Sequence, residues 1–276
     1  VPSGEPGAAD DSVLMNKRDV SLAFAGLLIA MLLSALDQMI FGTALPTIVG
    51  ELGGVDQMLW VTTAYILAAT IMMPIYGRLG DLIGHKVMFL GALALFLGGS
   101  IIGGLSTGMP GLITARAVQG LGGGGLMILS QAIIADLVPA RRRGKYMGVI
   151  GMVWGFSSVV SPLLGGWFTD TVGWRWVFWF NLPLGVLAVM AAVVFLKMPE
   201  HKPSRPRADA LGIATMAVAV AAIVFLTSWG GREFAWDSPV ILGLVAAALV
   251  AGTAFVFAEK RAAEPIMPLH LFRKRN

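Results

Sequence analysis

The chain has no cysteine and only three histidines. The first absence excludes disulfide frameworks, thiolate metal sites and cysteine nucleophiles. The histidines, His85, His201 and His270, all fall in segments expected to lie outside hydrocarbon. A Ser–His catalytic arrangement within a membrane is therefore not available. Charge is scarce too: 13% of residues are Asp, Glu, Lys or Arg, about half the roughly 25% of an ordinary soluble domain. No P-loop is present, so direct driving by ATP has no support. What the chain has in abundance is apolar surface, with 57% hydrophobic residues and a mean hydropathy of +0.79.

That surplus is organised into eight apolar stretches, over 20–49, 58–76, 87–105, 111–137, 144–168, 176–196, 210–228 and 240–258. Each approaches or exceeds the ~20 residues that cross about 30 Å of hydrocarbon as a helix. The runs are continuous, without the alternation of barrel strands, so an all-α polytopic membrane protein is expected. The first run is too long for a signal-peptide core and reads as a retained helix. Seventeen of the 20 Lys and Arg residues fall in the tails and the loops after helices 2, 4 and 6; only Arg175 and Arg232 lie in the opposite loops. The positive-inside rule then puts both termini in the cytoplasm. The basic balance, net +4, is explained by topology, and no nucleic-acid partner is needed.

Along the chain we expect a disordered cytoplasmic tail over 1–19 and a six-helix bundle over 20–197. A Pro-rich basic linker over 198–209, two further helices over 210–258 and a cytoplasmic connector over 259–276 follow. The first six helices hold nearly all the unusual residues. Helices 7 and 8 are rich in Ala, Val and Leu with no charge inside them. The proline-punctuated tail ending at Arg273-Lys274-Arg275-Asn276 is expected to lead into another membrane helix.

Asp37 lies deep in helix 1. A charged Asp at the bilayer centre costs about 2.5–3.5 kcal/mol on insertion scales, so it must face a cavity, find a partner or take a proton. Removal from water disfavours the charged carboxylate, which makes Asp37 a candidate reversible proton carrier; the plainer alternative is a structural cap on a neighbouring helix. Arg116 lies in the half of helix 4 at a matching depth. Arg116, Gln119, Gly123 and Ser130 share one face at 100° per residue, a polar stripe expected to face the bundle interior or a substrate pathway. The alternative is a static Asp–Arg pair that only fixes packing. Helix 5 carries Gly144, Gly148, Gly151 and Gly155, continuing to Pro162, Gly165 and Gly166. Such a stripe lets two backbones approach closely, either to slide or to pack. Gly120, Gly122 and Gly125 spell G-x-G-x-x-G, but no strand precedes them, and close helix packing is the better reading. Trp60, Trp174, Trp176 and Trp179 sit near expected interfaces, as headgroup anchors do.

Taken together, these segments resemble the major facilitator superfamily, in particular its fourteen-helix drug:proton antiporters of the EmrB/QacA type. Leu36-Asp37-Gln38-Met39-Ile40 with Ala44-Leu45-Pro46 resembles the first-helix motif, and Gly77-Arg78-Leu79-Gly80-Asp81-Leu82-Ile83-Gly84-His85-Lys86 the signature loop. Arg116-Ala117-Val118-Gln119-Gly120 is similar to the helix-4 motif, and Gly151 to Gly166 to the antiporter motif ending G-P-x-x-G-G. Trp174-Arg175-Trp176 through Asn181-Leu182-Pro183 also resembles this group. Three positions depart. Ser161 replaces the Gly before Pro162, and Leu82 and His85 stand where basic residues are usual.

The resemblance implies proton coupling through Asp37 and Arg116, with Gly77, Asp81, Gly84, Lys86, Gly151, Gly155, Pro162, Gly165 and Gly166 in conformational gating. It implies a latch in which Asp81 meets basic residues of the loop, weakened here by the loss of one positive partner. It also implies a second six-helix bundle that this chain does not contain, rocking against the first around a midplane site. The expected function is proton-driven efflux of amphipathic, often cationic compounds across the cytoplasmic membrane, with no cofactor and no enzymatic activity. Export of a lipid, endogenous metabolite or secreted antibiotic is the alternative cargo. An intramembrane enzyme or a non-transporting membrane partner is the alternative of another class.

Overall fold

A computed structural model describes residues 17–196 and 210–261. Among these are eight helices long and apolar enough to cross a membrane. They are α1 Lys17–Leu52, α2 Met58–Ile83, α3 His85–Leu105, α4 Met109–Leu137 and α5 Ala140–Trp167. Then come α6 Trp176–Phe195, α7 Ala210–Trp229 and α8 Pro239–Arg261. The expected tail over 1–19, linker over 198–209 and connector over 259–276 lie wholly or largely outside the described residues, as do His201 and His270.

One boundary corrects the sequence reading. The segment from Gly77 to Ile83 is not a loop but the last two turns of α2, and Gly84 alone joins α2 to α3. Gly84 has φ +109, a conformation that L side chains rarely adopt, and it turns the chain in one residue. Polar residues do not end a helix that has left the hydrocarbon; a backbone that cannot continue does. α6 runs as one span from Trp176 to Phe195, and Phe180, with φ −60 and ψ −28, keeps helical backbone angles between Trp176–Trp179 and Asn181–Phe195.

α4 sits at the centre, packed between α2 and α3, while α1 packs on α5 and α6. The glycines of α4 make this possible. A Cβ on Gly122 would lie 2.5 Å from the Phe96 backbone nitrogen of α3 and closer still to the Ala92 carbonyl. On the opposite side, Gly120 and Gly124 face the backbones of Tyr65 and Ala69 in α2. The G-x-G-x-x-G pattern is therefore a packing device. α7 and α8 pack on each other, and α7 docks on α2 through Trp60, Phe225 and Trp229, whose ring centroids are 4.7–5.6 Å apart. Trp60 is thus part of a helix contact. Trp174, 1% exposed, is a core residue and no headgroup anchor.

The apolar interior has two parts. One joins Leu27, Leu33, Phe89, Phe96, Leu129 and Ile133. The other joins Leu36, Phe41, Ile48, Leu112, Trp174 and Phe178. In chain terms they meet near residue 35 of α1, 98 of α3, 118 of α4 and 181 of α6. That layer holds the polar residues described below.

The stripe on α5 behaves differently from the one on α4. A Cβ on Gly144, Gly148, Gly151 or Gly155 would meet nothing within 4 Å, and Met152, Phe156, Val159 and Leu163 are exposed beside them. The expectation of close backbone approach at Gly151 and Gly155 is not met among the described residues; only Gly165, 3.2 Å in Cβ terms from the Ile40 carbonyl, abuts α1. The two stripes therefore make opposite predictions. Gly122→Ala should lower stability in detergent by about 1–3 kcal/mol through overpacking, more than the ~1 kcal/mol helix-propensity gain of Ala can offset. Gly155→Ala should leave the first bundle unharmed. Equal thermal unfolding of the two variants would contradict this division.

Candidate functional site

α1 brings Asp37 into the polar layer, α4 brings Arg116 and Gln119, α3 brings Ser100 and α6 brings Asn181; all five are buried. The positions follow from helical spacing. Arg116 and Gln119 are three apart and so share a face of α4, while Gly99 beside Ser100 lets α3 close on the Gln119 backbone. Arg116 Nη1 donates to Asp37 Oδ2 at 2.6 Å and to Gln119 Oε1 at 2.9 Å. Gln119 Nε2 donates to Asp37 Oδ1 at 3.1 Å and to Ser100 Oγ at 2.9 Å. Asn181 Nδ2 donates to the same two atoms, at 2.8 Å and 3.1 Å. The Ser100 hydroxyl in turn donates to the Phe96 carbonyl.

The guanidinium is flanked by rings. Its central carbon is 4.2 Å from the Phe41 ring centroid and 4.3 Å from that of Tyr65. Such contacts favour a cation most where water is excluded, and the Arg116 and Asp37 side chains are 3% and 0% exposed. The Tyr65 hydroxyl receives Gln38 Nε2 at 3.2 Å and lies 3.5 Å from Ser34 Oγ. It occupies the space that a side chain at Gly123 would fill.

Asp37 and Arg116, paired in sequence reasoning by depth alone, thus meet directly. The residues assigned to a substrate pathway are placed otherwise. Gln119 belongs to the carboxylate network, Gly123 is backed by Tyr65, and Ser130 is buried with no hydrogen-bond partner among the described residues. All three are buried among the described helices. Sequence reasoning missed Ser100, Tyr65 and Phe41 in the site, and gave Asn181 no role of its own. A lone amide opening an apolar helix just before Leu182-Pro183 was a usable signal for Asn181. Ser100 and Phe41 had none.

A second charged cluster forms where α2 meets α3. His85 Nδ1 is 2.8 Å from Asp136 Oδ2 of α4, and Nε2 is 3.3 Å from Asp81 Oδ1. The latch expected to lack a positive partner therefore has His85 between two carboxylates, and both ring nitrogens can donate when the imidazole is protonated. A Cβ on Gly80 would fall 2.5 Å from the imidazole, so glycine there makes its room. Leu82 is buried, a place no basic residue would suit. Lys86 reaches the Val193 carbonyl instead of Asp81, Gly77 faces open space, and Pro162 is exposed on α5 while Ser161 is buried.

The described residues thus form a bundle of membrane helices with a buried Asp–Arg pair between the first and fourth. A profile of the Major Facilitator Superfamily matches residues 27–272, and the chain belongs to that superfamily. It is similar to the multidrug transporter protein MdtP of Bacillus subtilis, 42% identical over 93% of this chain and 47% of that protein. It is also similar to multidrug resistance protein 3 of the same organism, 39% identical over 96% of this chain and 52% of that one. The chain thus spans about half the length of these curated relatives. Among solved structures it resembles the human organic anion transporter MFSD10, with a TM-score of 0.58 at 17% identity, covering 86% of this chain and 72% of that one; this likeness concerns the fold.

The absence of native cysteine gives a direct test of the central pair. An Asp37→Cys/Arg116→Cys variant should form an intramolecular bridge with short thiol-specific reagents, read as a mobility or mass shift. Failure under every condition of pH and substrate would show that these positions do not approach.

Proposed function

We propose that this chain forms the first bundle and the two inserted helices of a proton-coupled exporter of amphipathic, often cationic compounds. The observation that carries the reading is the desolvated Asp37–Arg116 pair: a carboxylate with 0% side-chain exposure held inside an apolar bundle. A carboxylate enclosed between helices in this way is a suitable place to bind and release a proton. The names of the relatives support the drug-export half of the proposal. Energetically the drive suffices. One charge moved through 100 mV supplies about 2.3 kcal/mol, which at 1.36 kcal/mol per decade sustains a concentration ratio of roughly fifty.

In this reading both termini face the cytoplasm, as the distribution of Lys and Arg supports, and the His85 cluster lies on that side. The open face of α5, with Gly144, Gly148, Gly151 and Gly155 uncovered, is offered to a second bundle. Alternating access then comes from rocking of one bundle on the other. The proton gradient is the only energy source proposed, with no cofactor.

In a transporter that carries this segment together with a second bundle, Asp37→Asn should insert normally and lose pH-driven efflux of a cationic dye. Asp37→Glu should keep partial activity because a titrating group survives. Wild-type efflux in Asp37→Asn vesicles would refute the role of Asp37. Residues 1–276 alone, reconstituted under an imposed pH gradient, should move no dye, whereas joining them to six further helices should restore transport. Robust proton-dependent transport by the 276-residue monomer would refute the two-bundle mechanism.

A further inference from the structure

The hydrogen bonds around Asp37 have a fixed direction. Ser100 spends its one proton on the Phe96 carbonyl, so both amides that reach its oxygen must do so with N–H groups. This sets the orientation of Asn181: Nδ2 faces Ser100 and Asp37, and Oδ1 points away. Gln119 is committed at both ends, since its Oε1 accepts from Arg116. Asn181 is not. It is 1% exposed, and its Oδ1 has no hydrogen-bond partner among the described residues.

That arrangement fits the ionised carboxylate, which accepts three N–H donors, and does not fit the acid. A proton added to Asp37 on the Oδ1 side would point at N–H groups from Gln119 and Asn181. A buried O–H with no acceptor is costly. Gln119 cannot turn without abandoning Arg116. Asn181 gives up less: its turn costs its own N–H bond to Ser100, which still receives Gln119, and the Ser100 hydroxyl must swing from the Phe96 carbonyl to the turned Oδ1.

The geometry points to Asn181 as the residue that reads the protonation state of Asp37. Its amide donates to the carboxylate and turns by half a rotation to accept the O–H of the carboxylic acid. This deepens the reading of Asp37 as proton carrier and rests on it. The amide itself neither gains nor loses a proton; it exchanges a donor for an acceptor while the proton resides on Asp37. The groups facing Asp37 from the other elements are Arg116 and Gln119 of α4 and Ser100 of α3, with the Tyr65 phenol of α2 behind the guanidinium. Arg116 is the only charge among them, so Asn181 is the one neighbour with both a donor and a free acceptor.

The test has two arms. The chain contains three asparagines, Asn16, Asn181 and Asn276. With Asn16→Gln and Asn276→Gln, selective labelling of asparagine side chains reports Asn181 alone in nanodiscs. On acidification its carbonyl carbon should shift towards the hydrogen-bonded value as its N–H protons shift away from theirs, and Asp37→Ala, which adds no asparagine signal, should abolish both movements. A change in the N–H protons alone, or none, overturns the proposal. In the transport assay, Asn181→Leu removes a charge-assisted donor from the ionised form and a weaker neutral partner from the acid. The pH of half-maximal efflux should therefore move alkaline by about one unit, a tenfold change in proton affinity. Asn181→Thr, whose hydroxyl can donate or accept, should hold the native profile at reduced rate. A lower rate with an unmoved profile in Asn181→Leu identifies a merely structural residue. Retained proton drive in Asp37→Asn instead defeats the functional reading itself, a distinct outcome.

Discussion

Everything in the first bundle is arranged around the cost of taking one carboxylate and one guanidinium out of water. On insertion scales that cost is about 3 kcal/mol for each charge. The three N–H donors on Asp37 each return about 2 kcal/mol as bonds to a charged group. The sum is close to zero, as expected of a buried ion pair, which rarely stabilises a fold more than apolar residues would. The pair does not explain why the bundle is stable; the two apolar clusters on either side do. Its presence is consistent with the proton-carrying role proposed for Asp37.

Close approach is the condition for that chemistry, and it depends on glycine. Asp37 is reached by donors from α4 and α6, and Ser100 of α3 ties the two amides together. α3 gets near enough because Gly99 and Gly122 carry no Cβ, and α2 because Gly120 and Gly124 carry none. The same residue type on α5 has no neighbour to admit. Glycine on a membrane helix therefore marks a surface made for another backbone, and only the structure says whether that backbone belongs to the described bundle. On α4 it does.

Much of this was legible in the sequence, for identifiable reasons. Eight helices follow from apolar runs, because in hydrocarbon no other open backbone arrangement satisfies its own N–H and C=O groups. Asp37 and Arg116 stood out because charge inside such runs is expensive. The ends of helices were harder. Gly77 to Ile83 looked like a loop by polarity, yet it stays helical until Gly84 makes the turn. The network partners were harder still. Ser100 and Phe41 are ordinary residues of a membrane helix, and their importance comes from which helices meet, information that no local pattern carries. His85 was read as the loss of a basic partner. Only its position between Asp81 and Asp136 shows that an imidazole can take that place.

The central pair and the His85 cluster share one element. Asp136 lies 20 positions after Arg116 on α4, roughly 30 Å along the axis at 1.5 Å per residue, and α4 runs unbroken from Met109 to Leu137. Between the two sites, Gly120 to Gly125 lock its middle against the backbones and rings of α2 and α3. A helix held that closely at its centre cannot bend there without clashing, so it moves as a rod or not at all. A displacement that lengthens the Arg116–Asp37 contact at one end is then a displacement of Asp136 relative to His85 at the other. α2 also touches both sites, since Tyr65 stacks on Arg116 and Asp81 meets His85, but Pro74 interrupts its hydrogen-bond ladder between them. Of these two helices, α4 alone joins the sites with no proline between.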